Sequence, residues 1–326
     1  MEFSPQRYAT MPYRRSGRSG LKLPAISLGL WQGTGSYVED ELSKQIVFTA
    51  FNHGITHFDL ANNYGTPAGA SEELFGRILK EMPRHELVIS TKAGYPMWPG
   101  PYGDGGNRKY LIESCEQSLK RMGIDHVDIF YSHRLDPETP MEETLGALET
   151  LVRQGKALYA GISSYADPYF TQALAITRHK DWAPITIHQP YYHMLARQAE
   201  REVLPTAGRE GVGVIAFCPL AQGLLTDRYL QGIPEGSRAS HANGGWLRST
   251  ITPEAVGKVR QLNELAKRRG QTLPQMALAW LLKDQRVTSV LIGASRPQQV
   301  DDCVGSLAKL EFSAEELTAI ETIVGS

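Results

Sequence analysis

Eight short apolar runs, rich in β-branched and aromatic residues, recur along the chain with stretches of helical period between them. The runs are AISLGL (25–30), ITHFDL (55–60), LVIST (87–91), VDIFYS (127–132), ALYAGIS (157–163), ITIHQ (185–189), VGVIAF (212–217) and SVLIG (289–293). Between them apolar residues repeat three and four apart, as in Leu42, Ile46, Val47 and Phe51, or Leu111, Cys115, Leu119 and Met122. That spacing lines one face of an α-helix. Eight alternating units fit a closed (β/α)8 TIM barrel better than an open doubly wound sheet, which commonly needs fewer strands. No GxGxxG follows the first run. No linker or low-complexity tract divides the chain, so one α/β domain over 1–326 is expected.

Local signals set the element boundaries. Ser71, Thr139 before Pro140 and Thr252 before Pro253 mark helix starts, and Gly270 follows the basic last turn AKRRG. A last helix opens with a capping box from Ser313 to Glu316. Upstream of the first run, YRRSGRSGLKLP reads as an N-terminal β-hairpin that plugs one end of the barrel. Two connections exceed a simple link. One is AGYPMWPGPYGDGGN (93–107); the other runs from about Cys218 to Thr252. Both follow strands, on the face where barrel enzymes keep their sites, and long loops in compact domains are usually functional.

Composition narrows the function classes. Hydrophobic residues make up 41% of 326, enough for a large core, and no apolar run approaches the roughly 18 residues of a spanning helix. The first residues, MEFSPQRYAT, lack the pattern of a signal peptide. Three cysteines, Cys115, Cys218 and Cys303, form neither a disulfide framework nor a zinc pattern. A cytoplasmic location is expected. With 34 Lys and Arg against 35 Asp and Glu, the net charge of −1 argues for neither a nucleic acid nor a membrane partner. An anionic ligand would have to be held by local positive charge.

The chemistry concentrates at strand ends. Asp59 ends the second run and Tyr64 follows it, Lys92 comes directly after LVIST, and His133 directly after VDIFYS. Three consecutive strands thus bring an acid, a phenol, an amine and an imidazole to one rim. Each alone reads as an ordinary structural residue; together they suit hydride reduction of a carbonyl, whose developing alkoxide needs a proton from a positioned acid. Tyr64 is the expected general acid, with an ammonium on Lys92 lowering its pKa. Asp59 would fix Lys92, and a neutral His133 would hydrogen-bond the carbonyl oxygen.

At these residues the chain resembles the aldo-keto reductase superfamily, through FDLANNYG, STKAG and YSHR in the family's order and spacing. The resemblance implies a barrel that binds a nicotinamide dinucleotide without a Rossmann motif, with Asp59, Tyr64, Lys92 and His133 as the catalytic tetrad. The nearest branch is the one that holds bacterial L-glyceraldehyde 3-phosphate reductases and potassium channel β subunits. STKAGYPMWPGPYGDGGNRKYL, SHRLDPETPMEET, GKALYAGIS and LAQGLLTDRYLQGIP resemble the bacterial reductases most. By resemblance, Trp31 lies near the nicotinamide, Ser163 and Gln189 bind its carboxamide, and Phe217 lies beside its ring. Pro219, Leu220 and Gly223 would approach the pyrophosphate, and Arg228 and Arg238 would clamp phosphates. Gly293, Ser295, Gln299 and Asp302 fall at adenosine-binding positions, where Ser295 beside Arg296 favours NADP(H) over NADH. Cys303 departs from the pattern, standing where the family usually has an adenine-contacting Asn.

The expected activity is NADPH-dependent reduction of small polar aldehydes such as glyceraldehyde 3-phosphate or methylglyoxal. Trp31, Tyr64, Tyr95, Trp98 and His133 would wall the substrate, with Arg108, Lys109 or Arg134 meeting a phosphate. The alternative is a redox-sensing, cofactor-binding interaction protein of the channel β subunit type, but that type tends to carry Asn where this chain has His133. A metal-dependent hydrolase lacks an HxH pair or a carboxylate set at ligand spacing. Resemblance also implies a homo-oligomer, a tetramer or octamer.

Overall fold

The computed structural model describes residues 3–31, 33–241 and 244–325. Among the described residues ten strands are present: β1 (Tyr13–Arg15), β2 (Lys22–Pro24), β3 (Ile26–Gly29), β4 (His57–Asp59), β5 (Val88–Ala93), β6 (Val127–Ser132), β7 (Ala157–Ser163), β8 (Ile185–Gln189), β9 (Gly213–Phe217) and β10 (Val287–Ile292). The last eight close into a parallel barrel in sequence order, with β10 pairing back onto β3. All eight apolar runs are barrel strands. β5 extends through Ala93, two residues past its apolar run, so Lys92 lies inside the strand rather than after it.

Period two along each strand separates two packing surfaces. Phe58 of β4 points outward, its ring centroid 5.4 Å from that of Phe75 on the helix Ala70–Leu79. That helix buries Ser71, Leu74, Phe75 and Ile78, the three-and-four spacing that faces it to the sheet. Inside the barrel, Ile129, Tyr131, Ile187, Ile215 and Leu291 form a separate cluster. Leu21 and Leu23 complete it, so the antiparallel hairpin β1–β2 does plug the barrel. It closes the end at which the strands begin: Ser16 Oγ donates to the Thr186 carbonyl at 3.0 Å, and Arg18 N to the Gly211 carbonyl at 2.9 Å.

The hairpin turn needs a left-handed residue, and Gly17 has φ +55°, with the Gly211 carbonyl where a Cβ would stand. Gly17→Ala is expected to lower stability by about 2 kcal/mol, read as a lower Tm with turnover per folded molecule unchanged.

Two helix starts differ from the sequence reading. Ser71 lies inside its helix, whose N-cap is Gly69, because its hydroxyl donates to the Leu30 carbonyl at 2.8 Å. Thr139 precedes the N-cap Pro140 by one residue, its hydroxyl donating to Asp136 Oδ2 at 2.7 Å. Thr252 caps Pro253–Arg268, Gly270 follows that helix at φ +74°, and the Ser313–Glu316 capping box is complete at Ala314–Val324. The second long loop contains a helix of its own, Gly245–Thr250. No described helix is long and apolar enough to cross a membrane.

Candidate active site

A cleft of about 810 Å3 opens where the barrel strands end. Its floor is built by register: Gly29 pairs with Asp59, Asp59 with Ser90, and Lys92 with Tyr131. Asp59 and Lys92 are fully buried. Nζ of Lys92 donates to Asp59 Oδ2 at 2.5 Å, to the Leu60 carbonyl at 2.6 Å and to the Tyr64 hydroxyl at 3.3 Å. Three acceptors around one nitrogen match the three donors of an ammonium. Tyr64, accepting from Lys92, keeps its own O–H for another acceptor, and its side chain lines the cleft.

The net electrostatics at Tyr64 differ from the sequence expectation. Burial pushes the phenol well above its ordinary pKa, Asp59 adds to the rise, and Arg238 opposes it. Tyr64 therefore carries its proton at neutral pH. Burial also lowers the Lys92 pKa, against the pull of Asp59. The three hydrogen bonds favour the charged form.

His133 directly follows β6, anchored by its backbone N–H to the Ala93 carbonyl at 2.9 Å. Burial, with Lys92 and Arg134 nearby, holds its pKa well below 6.5, so the imidazole is neutral. Its Nδ1 is buried without a partner, and the ring stands among aromatics, 4.7 Å from Tyr95 and 5.9 Å from Tyr64 between centroids. Tyr95 and Trp31 line the cleft; Trp98 does not. Trp98 instead packs on Tyr110 at 5.1 Å, and Tyr110 donates to the Tyr95 carbonyl, so Trp98 sits behind the wall rather than in it.

The proposed phosphate-meeting cations are also occupied elsewhere. The Arg108 guanidinium donates to Thr150 Oγ1 at 2.7 Å, and Lys109 lies over the Tyr102 ring. Arg134 stacks on Tyr95 while bonding the Gly94 carbonyl at 2.6 Å and both oxygens of Asp104 at 3.0 and 3.1 Å. None of the three lines the cleft.

The rest of the cleft extends away from Tyr64 and collects every residue that the resemblance assigned to a cofactor: Ser163, Gln189, Phe217, Pro219, Leu220, Gly223, Arg228, Arg238, Gly293, Ser295, Gln299 and Asp302. Ser163 Oγ donates to the Gln189 carbonyl at 2.9 Å. Arg238 lies 4.5 Å over the Trp31 ring, and its Nε and Nη2 are buried without a partner. A desolvated guanidinium with free donors fits an anion. Arg228 is exposed, its Nη2 3.5 Å from the Gly236 carbonyl. At the far end Gln299 Oε1 accepts from Ser295 N at 2.7 Å, and a Cβ on Gly293 would meet nothing within 4 Å. Cys303 lines this end as a buried thiol that burial pushes up to about 12. Backbone strain gathers here too: Ser164, Cys218 and Gln222, all lining the cleft, have positive φ.

Sequence reasoning passed over several residues in and around the cleft, of which Trp246 lines it. Trp246 sits in the second long loop, 6.1 Å from Trp31 and 5.5 Å from Tyr191 between centroids. Tyr191 lies just past the end of β8, bridged to Phe217, where no strand period could point to it. Ser90 was missed as well, although it lies two before Lys92; its hydroxyl donates to Asp59 Oδ1 at 2.6 Å. Gln189 Nε2 donates to the same oxygen at 3.3 Å.

Comparison with known proteins agrees with this geometry. Residues 25–324 match the model of the Aldo/keto reductase family. An L-glyceraldehyde 3-phosphate reductase of Escherichia coli O157:H7 is 55% identical over 326 residues, covering 98% of this chain and 94% of that protein. The protein of the same name in Escherichia coli (strain K12) is 55% identical over 327 residues, with the same coverage. The barrel is matched over nearly its whole length by the family model and by reductases at 55% identity, and the chain belongs to the aldo/keto reductase family, a family of oxidoreductases.

Proposed function

We propose that this protein is an NADPH-dependent aldehyde reductase acting on small polar aldehydes, with L-glyceraldehyde 3-phosphate and methylglyoxal as the first substrates to test. The observation that carries the reading is the three-way coordination of Lys92 Nζ by Asp59, Leu60 and Tyr64. It leaves the Tyr64 proton directed to an outside acceptor beside a neutral His133. The substrate's chemistry is taken from the two reductases at 55% identity.

NADPH, when bound, supplies the hydride. The chain's residues supply the rest. Arg238, with free donors, is the phosphate clamp, Arg228 its exposed companion, and Ser295 beside Arg296 selects the 2′-phosphate. Ser163 and Gln189 orient the carboxamide, and Trp31 and Phe217 confine the ring. His133 donates to the carbonyl oxygen, and Tyr64 delivers its proton there as negative charge develops. Phenolate character on Tyr64 is then stabilised by the ammonium 3.3 Å away. The alkaline limb of kcat follows loss of that ammonium, because burial lowers the Lys92 pKa and raises that of Tyr64.

The test is NADPH oxidation by the purified protein against a panel of small aldehydes, with NADH in parallel. Turnover on a phosphorylated or dicarbonyl aldehyde that prefers NADPH is expected; tight NADPH binding without turnover on any aldehyde would leave the redox-sensing role instead. Arg238→Ala is expected to weaken NADPH binding tenfold to about a hundredfold, the range of a lost charged hydrogen bond. An unchanged Kd in a fluorescence titration would remove Arg238 from the clamp.

A further inference from the structure

Within the barrel a line of polar side chains crosses four neighbouring strands beneath the site. Ser289 Oγ of β10 lies 2.7 Å from Ser27 Oγ of β3, and Ser27 Oγ lies 2.9 Å from His57 Nδ1 of β4. His57 Nε2 lies 2.9 Å from Ser90 Oγ of β5, which donates to Asp59 Oδ1 at 2.6 Å. All five residues are fully buried.

The directions of these bonds are fixed by their end. A carboxylate only accepts, so the one hydroxyl proton of Ser90 is committed to Asp59, and Ser90 must accept from His57. His57 is then the Nε2–H tautomer, Nδ1 accepts from Ser27, and Ser27 accepts from Ser289. Burial lowers the His57 pKa to about 4, in keeping with a neutral ring that has one donor and one acceptor. Every donor points toward Asp59, an arrangement in which successive hydrogen bonds strengthen one another.

We propose that Ser289, Ser27, His57 and Ser90 act as positioning residues, a one-directional hydrogen-bond line that locks the Asp59 carboxylate so that Oδ2 stays on Lys92. This inference rests on the function proposed above. Without the line, the carboxylate keeps only Gln189 on Oδ1 and turns away from Nζ. The groups facing the pair are His57, Tyr64, Tyr131, His133 and Glu72. Among the groups that shift Lys92, Asp59 and Glu72 raise its pKa and burial lowers it. Loosening Asp59 therefore lets the ammonium be lost at lower pH.

Ser90→Ala, Ser27→Ala and Ser289→Ala delete the same hydroxyl at one, three and four bonds from Asp59. For Ser90→Ala, kcat for aldehyde reduction is expected to fall about tenfold, the equivalent of one lost hydrogen bond to a charged group. Its alkaline limb should move to lower pH, with NADPH Kd unchanged. Ser27→Ala should show a smaller shift and Ser289→Ala the smallest, while the three Tm losses stay similar. His57→Gln, which keeps a donor and an acceptor, should lie closer to wild type than His57→Phe. A limb that stays put or moves to higher pH in Ser90→Ala, or shifts that ignore the order along the line, would overturn the proposal. Wild type that turns over no aldehyde would overturn the reductase reading itself, which the same assay separates from a flat serine series.

Discussion

Tyr64→Phe is expected to lower kcat for aldehyde reduction about a thousandfold while leaving the Kd for NADPH within a factor of two. The size follows from the range for a positioned general acid. The selectivity follows from the structure: Tyr64 OH accepts one hydrogen bond, from Lys92 at 3.3 Å, and the phenylalanine ring retains the packing near Trp31 and His133. Lys92 would keep Asp59 and Leu60 as acceptors, so the fold should survive with little change in Tm. Single-turnover measurement with NADPH already bound separates the chemical step from binding. Turnover within tenfold of wild type would mean that the proton comes from another group, and His133 would be the next candidate.

Lys92→Met carries the second large effect, and it should register in two observables. Removing the ammonium deletes the charge beside the Tyr64 oxygen, so kcat should fall by a factor of roughly a hundred to ten thousand. It also leaves Asp59 buried with no counter-charge in contact, and breaking a buried pair from one side costs about 3–5 kcal/mol. Ser90 and Gln189 still donate to Asp59, which places the loss at the lower end of that range. Thermal denaturation and kinetics on the same preparation distinguish the two. A Tm loss with kcat intact would leave Lys92 a purely structural residue.

The barrel was legible because its signals are local. Eight apolar runs each became a strand, and three consecutive ones carry chemistry at or just past their ends, so topology alone brought Asp59, Tyr64, Lys92 and His133 together. The errors fall where local signals lose their hold. Trp98 lies in a loop of glycines and prolines, whose conformation no periodicity sets, and it turned to Tyr110 instead of the cleft. Arg108, Lys109 and Arg134 read as free cations, yet their partners Thr150, Tyr102 and Asp104 became visible only in three dimensions. A pKa is likewise a sum over surroundings, so the ammonium beside Tyr64 did not decide its direction; burial did. The polar line beneath the site escaped notice for a different reason. Small serines sit unremarkably in apolar runs, and Ser27 meets Ser289 only through closure of the barrel across 262 residues of sequence.

The N-terminal hairpin has a consequence beyond holding the strands together. With Leu21 and Leu23 filling the bottom, the barrel interior is a blind alley for solvent. Asp59 lines the cleft beside Tyr64, so on the proposed function protons would reach the Asp59–Lys92 pair from that side. Under the proposed function, a ligand lying across that mouth would stopper the interior, and Tyr64 would be replenished once the mouth clears. On that reading the hairpin would make proton supply a property of occupancy, each turnover running on the proton loaded before it began.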